Sequence, residues 1–125
     1  MLSTKNLANA VVTYSRYRSA GNRTEYVGAN NSDLTKDQII LQSTAPKTQG
    51  ENRGNRRSSI NVVSGVSVLN TKGVSVVRDA KLELLASVPA GMTESDFKEL
   101  CARQAALLAD SAFVKTLFLT GLIDY

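Results

Sequence analysis

SINVVSGVSVLNTKGVSVVRDAKLELL, Ser59 to Leu85, decides the architecture. In its first half Ile60, Val62, Val66 and Val68 share one phase, and Ser59, Asn61, Val63, Gly65 and Ser67 share the other. Successive side chains of an extended chain point to opposite faces, so this period of two predicts a half-buried strand. NTKG, Asn70 to Gly73, is turn chemistry. Beyond it Val74, Val76, Ala80, Leu82 and Leu84 alternate with Ser75, Asp79, Lys81 and Glu83, a second strand of the same kind.

Toward the N-terminus the β-branched and aromatic run AVVTYSRY, Ala10 to Tyr17, is followed by SAGN and the extended RTEYVG, a hairpin pattern. KDQIILQST supplies a further strand that should end at Ala45-Pro46, since proline has no amide proton for a sheet ladder. Lys47 to Arg57 reads as a polar loop. Toward the C-terminus the period changes at Pro89-Ala90-Gly91. TESD, Thr93 to Asp96, has the form of a capping box, and Phe97, Leu100, Cys101, Ala105 and Leu108 then recur at helical spacing. On that apolar face Cys101 is expected to be a small buried hydrophobe. Asp110-Ser111 interrupts the helix and can cap a second one ending near Thr120-Gly121. The expectation is one α+β domain over residues 1–125, with an antiparallel sheet of about six strands across residues 9–88 and two helices across 94–120.

Composition narrows function. The chain has no histidine and a single cysteine, Cys101, which removes Ser-His-Asp triads, Cys-His pairs and classical zinc sites. No nucleophile–base pair or glycine-rich phosphate loop is present, so an enzyme is not expected. No stretch approaches the roughly 20 apolar residues of a membrane span, and the N-terminus lacks a signal-peptide core, so a soluble cytosolic protein is expected. Nine Lys/Arg oppose four Asp/Glu through Arg57, whereas six oppose seven from Ser58 onward. Positive charge collected on the sheet half suits contact with nucleic acid, and equally a solubilising surface.

The second helix is apolar most of the way round: Ala112, Phe113, Val114, Leu117, Phe118 and Leu119, with Leu122 and Ile123 just after. Exposing several such side chains costs roughly 1.5 to 3 kcal/mol each, so the pattern predicts cover from a partner chain, most simply a symmetric dimer. The expected interface comprises Phe97, Leu100, Leu108, Phe113, Leu117 and Phe118. The alternative is a helix sunk in its own core, against which the shortness of the chain speaks.

RDAKLELLASVPAGMTESDFKELCARQAALLADSAFVKTLFLTGLIDY resembles the last strand, capped helix, break, second helix and terminal tyrosine of the coat proteins of single-stranded RNA bacteriophages, the MS2 and Qβ group of leviviruses. TESDFKELCARQAALLADS is similar to the Qβ-type helix, and NRRSSINV to the basic turn entering a central strand in that family. The resemblance covers Asp37 to Tyr125. It implies an intertwined homodimer in which each chain's helices lie on the partner's sheet. It further implies assembly into an icosahedral T=3 shell, with the sheet facing inward onto genomic single-stranded RNA. A virion location follows, with synthesis in a bacterial host's cytoplasm, and with no cofactor, membrane or small-molecule substrate. Binding of a genomic stem-loop to repress replicase translation is implied by the same likeness.

Strand phase selects Lys36, Gln38, Gln42, Thr44, Ser59, Asn61 and Lys81 as the RNA-facing set, with Ile40 interrupting it. Amide, hydroxyl and ammonium groups two residues apart on adjacent strands form a grid that can donate to phosphates and splayed bases; the ordinary alternative is a solvated sheet face. Lys47, Arg53, Arg56 and Arg57 are expected to form a flexible cationic loop following the phosphate backbone without reading sequence, or simply a soluble sheet end. The resemblance places Asp79 near a base-stacking tyrosine, and aspartate neither stacks nor attracts phosphate. A dimeric RNA-binding regulator that forms no shell shares all of these features.

Overall fold

The structure is a computed structural model that describes residues 1–122; Ile123 and the terminal Tyr125 lie outside the described residues. The chain divides into two compact units, residues 1–89 and a second beginning at Ala90.

The first unit is a six-stranded antiparallel meander in chain order: β1 (Leu2–Lys5), β2 (Val11–Ala20), β3 (Arg23–Val27), β4 (Asp37–Thr44), β5 (Asn55–Leu69) and β6 (Ser75–Pro89). The 8-residue β4 stops just before Ala45-Pro46, as the missing proline donor requires. β5 and β6 are each 15 residues long and pair along their whole length, from Asn55 opposite Pro89 to Leu69 opposite Ser75. The turn between them is tied by Asn70, whose Oδ1 accepts from the amides of Lys72 and Val74, both at 2.9 Å. β1 was not expected; it pairs with β2 from Leu2 opposite Tyr14 to Lys5 opposite Val11. A bulge at Tyr17 interrupts β2, so that Arg16 lies opposite Tyr26 and Arg18 opposite Glu25.

Directly opposed residues of an antiparallel pair share a face, so the register sorts the sheet. Ile39 lies beside Val62, Leu41 beside Ile60, and these in turn beside Leu82 and Leu84, which makes one face apolar. The buried apolar residues are few among the described residues: Tyr14, Ile39, Ile40 and Val63. Ile60, Val62, Val66, Val68, Leu82 and Leu84 keep 39–50% of their surface.

In the second unit Thr93 caps α1 (Glu94–Ala109), its Oγ1 accepting from the Asp96 amide at 3.2 Å as the TESD pattern predicts. Asp110 ends α1 and caps the next turn, Oδ1 accepting from the amides of Ala112 and Phe113. α2 (Ser111–Val114) passes into a π-helical segment, Lys115–Leu119, closed at Gly121, whose φ of 75° favours glycine. None of these helical residues is buried. Cys101 is exposed, contrary to expectation, although its face of α1 is apolar in sequence.

Candidate nucleic-acid interface

The second face of the sheet gathers the polar residues that strand phase selects. Gln42 lies opposite Ser59, Gln38 opposite Val63 and Thr44 opposite Arg57. Val63 is in turn opposite Lys81, and Asn61 opposite Glu83. Lys36 precedes β4 but joins the same face: its carbonyl accepts from the Gly65 amide at 2.7 Å, and Gly65 sits opposite Asp79. All seven residues thus share one surface, interrupted by the buried Ile40.

Electrostatics on this surface differ from what composition suggests. Lys36 Nζ lies 3.5 Å from Asp79 and Lys81 Nζ lies 3.3 Å from Glu83, so each grid lysine has its own carboxylate. Such exposed pairs contribute little to stability, but they mute the charge offered to a polyanion. Asp79, which stands where the family resemblance expects an aromatic, is thereby half of an ion pair. Asn61 Oδ1 is buried without a hydrogen-bond partner among the described residues.

The basic segment is not one loop. β5 begins at Asn55, so Arg56 and Arg57 are strand residues and point to opposite faces; only Lys47 and Arg53 remain in the loop. Arg57 joins the polar face opposite Thr44, whereas an Arg56 guanidinium nitrogen donates to Ser43 Oγ at 3.2 Å. The loop itself is hydrogen-bonded rather than loose. The amides and carbonyls of Gln49 and Asn52 bond each other at 2.8 and 3.0 Å, and Asn52 Oδ1 accepts from the Gly54 amide. Gly54, at φ 78°, lies against the Lys47 carbonyl with no room for a Cβ. Lys47, Gln49, Asn52 and Arg57 line a cavity of about 420 Å³ there.

A third feature escaped the sequence reading. Glu25, 8% exposed, accepts from Arg18 at one oxygen and from Arg23 at the other, both at 2.9 Å. The Arg23 hydrogen bonds lead in holding its carboxyl below the usual range; burial opposes them, and Arg18 adds to the lowering. The signal was present in the hairpin as Arg18, Arg23 and Glu25 flanking one turn, but β2 contains a bulge that strand phase alone does not reveal. On the opposite face burial and the Asp37 carboxylate, which accepts from the Tyr14 hydroxyl at 2.8 Å, push the Tyr14 phenol up to about 12.

The expected interface residues all lie in the second unit. Phe97, Phe113 and Leu117 are half-buried, and Leu100, Leu108 and Phe118 are 50%, 41% and 54% exposed. No group of three metal-ligating side chains occurs among the described residues.

No family model and no curated protein matches the chain. Solved structures do. The virus-like particle of Wenzhou levi-like virus 4 is 25% identical, with a TM-score of 0.76 over 97% of this chain and 84% of that one. That of Beihai levi-like virus 32 is 16% identical, with a TM-score of 0.76 over 91% and 90%. That of bacteriophage AVE019 is 15% identical, with a TM-score of 0.74 over 99% and 96%. Six antiparallel strands followed by C-terminal helices, matched over nearly the whole chain, give this protein the coat-protein fold of the leviviruses, the RNA-bacteriophage group that its motifs resemble.

Proposed function

We propose that the chain is a viral coat protein: it dimerises, the dimers close into an icosahedral T=3 shell, and the polar sheet face packs against single-stranded RNA. The observation that carries this reading is a surface incomplete in one copy. Apolar side chains on one sheet face and along the helices stay 39–79% exposed, from Val62 to Leu119. β6 ends the strand order, so one side of a 15-residue strand has no strand neighbour among the described residues. Long unpaired edges and apolar patches of this kind serve as joints between copies. Pairing β6 with its counterpart about a two-fold axis continues the sheet, and each chain's helices then cross the partner's apolar face. The particles formed by the structural neighbours support the next step, from dimer to shell.

RNA contact draws on Lys36, Gln38, Gln42, Thr44, Ser59, Asn61 and Lys81, with Lys47, Arg53 and Arg57 as nonspecific phosphate partners. Arg56, on the apolar side, leaves that set. Repression of replicase translation through a stem-loop follows from the resemblance. With Asp79 in place of an aromatic, hairpin recognition would rest on hydrogen bonds rather than on stacking. Size-exclusion chromatography and electron microscopy of the protein from a bacterial host test the whole reading. Uniform shells with nucleic-acid absorbance are expected; a species that stays strictly dimeric across salt and added RNA would instead identify a regulatory RNA-binding dimer.

A further inference from the structure

We infer that Arg18 and Arg23, splayed on Glu25, form a phosphate clamp for single-stranded RNA on the β2–β3 wing of the polar face, outside the β4–β6 grid. This rests on the RNA-binding reading above. Arg18 Nε and a terminal nitrogen lie 3.0 and 2.9 Å from Glu25 Oε2; Arg23 Nε and a terminal nitrogen lie 3.2 and 2.9 Å from Oε1. A guanidinium has five N–H donors in a fixed fork, so each arginine keeps donors after satisfying the carboxylate. Both remain open to solvent, with side chains 66% and 47% exposed, beside a carboxylate that is only 11% exposed.

One arginine would neutralise Glu25. The second is surplus charge, and this distinguishes the cluster from the one-to-one pairs Lys36–Asp79 and Lys81–Glu83. Arg18, Ala20, Arg23 and Glu25 line a cavity of about 180 Å³, room for a phosphodiester. Register carries the site into the grid, since Arg23 lies opposite Gln42, which lies opposite Ser59. A strand whose bases meet the amides and hydroxyls of β4 and β5 therefore passes its backbone across the arginines one strand further on. Charge-assisted bidentate contacts are the geometry that phosphate recognition favours.

The test is fluorescence anisotropy of a labelled unstructured RNA about 20 nucleotides long on the purified dimer, titrated from about 50 to 300 mM potassium chloride. Arg18→Gln leaves Glu25 paired with Arg23. It should raise Kd about tenfold at the low-salt end and lower the log Kd–log salt slope by about 0.7, the value for one phosphate on a single strand. Arg18→Lys should restore most of the slope. Arg18→Gln/Arg23→Gln/Glu25→Gln removes the network without leaving a buried charge and should show at least the same loss. Wild-type slopes in both Gln variants would overturn the clamp while leaving RNA binding by the grid in place. A wild-type protein without salt-dependent RNA binding would instead overturn the underlying reading, and the clamp with it.

Discussion

Replacing Phe118 by alanine measures how far the helical unit depends on a second copy. Phe118 is 54% exposed, and an aromatic side chain carries about 200 Å², so a partner can remove about 110 Å² from water. At about 25 cal/mol per Å² that burial is worth roughly 2.7 kcal/mol per copy, and roughly 5 kcal/mol in a two-fold dimer that contains the residue twice. Because real denatured chains and loose interfaces bury less than the ideal, about 3 to 5 kcal/mol is the expected loss, a rise in the dimer dissociation constant of two to four powers of ten. Sedimentation equilibrium across a dilution series reads this directly, with circular dichroism to check the fold. Phe118→Asp adds a carboxylate that cannot be desolvated without a partner charge, and no dimer should form at micromolar concentration. A dissociation constant within about threefold of wild type for the alanine variant would refute the argument. So would a soluble Phe118→Asp monomer melting at the wild-type temperature, since the helix would then need no cover.

Asn61→Ala and Lys81→Ala should lower the RNA content of particles, read as the ratio of nucleic-acid to protein absorbance, while dimers persist; unchanged content would count against the assigned face. Tyr14 should ionise late, near pH 12, in a phenolate absorbance titration, and Tyr14→Phe should abolish that late step. Because its folded pKa is raised from 10.0, its contribution to stability is complete below pH 10 and disappears as pH approaches 12. Glu25 runs the other way: its depressed pKa contributes stability above the free-carboxylate value of 4.5, lost as pH falls through the folded value. Urea midpoints should accordingly drop less in Glu25→Gln than in wild type on acidification from neutral pH. Gly54→Ala forces a Cβ onto the Lys47 carbonyl at a positive φ, costing at least about 1 to 2 kcal/mol, visible as a lower thermal midpoint.

Periodicity made the central hairpin and the capped helix legible, because one buried face imposes a strict phase on Ile60, Val62, Val66 and Val68 and on Leu82 and Leu84. Thr93 and Asp110 cap as their side-chain chemistry predicts. What escaped shares one cause: local pattern is silent where a contact across strands decides. β1 is only four residues, LSTK, and exists because β2 offers it an edge. Arg56 and Arg57 look like loop residues until β6 extends far enough to pair with Asn55. Cys101 sits on an apolar helical face, and periodicity identifies that face without telling whether its cover belongs to the same chain. Phase puts the seven candidate grid residues, and Asp79 and Glu83 with them, on one sheet face, whereas the Lys36–Asp79 pairing and the Arg18–Glu25–Arg23 cluster required the register.

The bulge at Tyr17 makes strand register, rather than residue identity, the control on where this sheet carries charge. Arg16 and Arg18 are two residues apart and would share a face in an unbroken strand; the extra residue between them sends one to each side. Pairing the same residues without the bulge would bring both arginines to one face, whereas deleting Tyr17 would close the bulge and leave them adjacent on opposite faces. Proteins of the same overall pI could differ in which surface attracts a polyanion, and a count of lysines and arginines would not tell them apart.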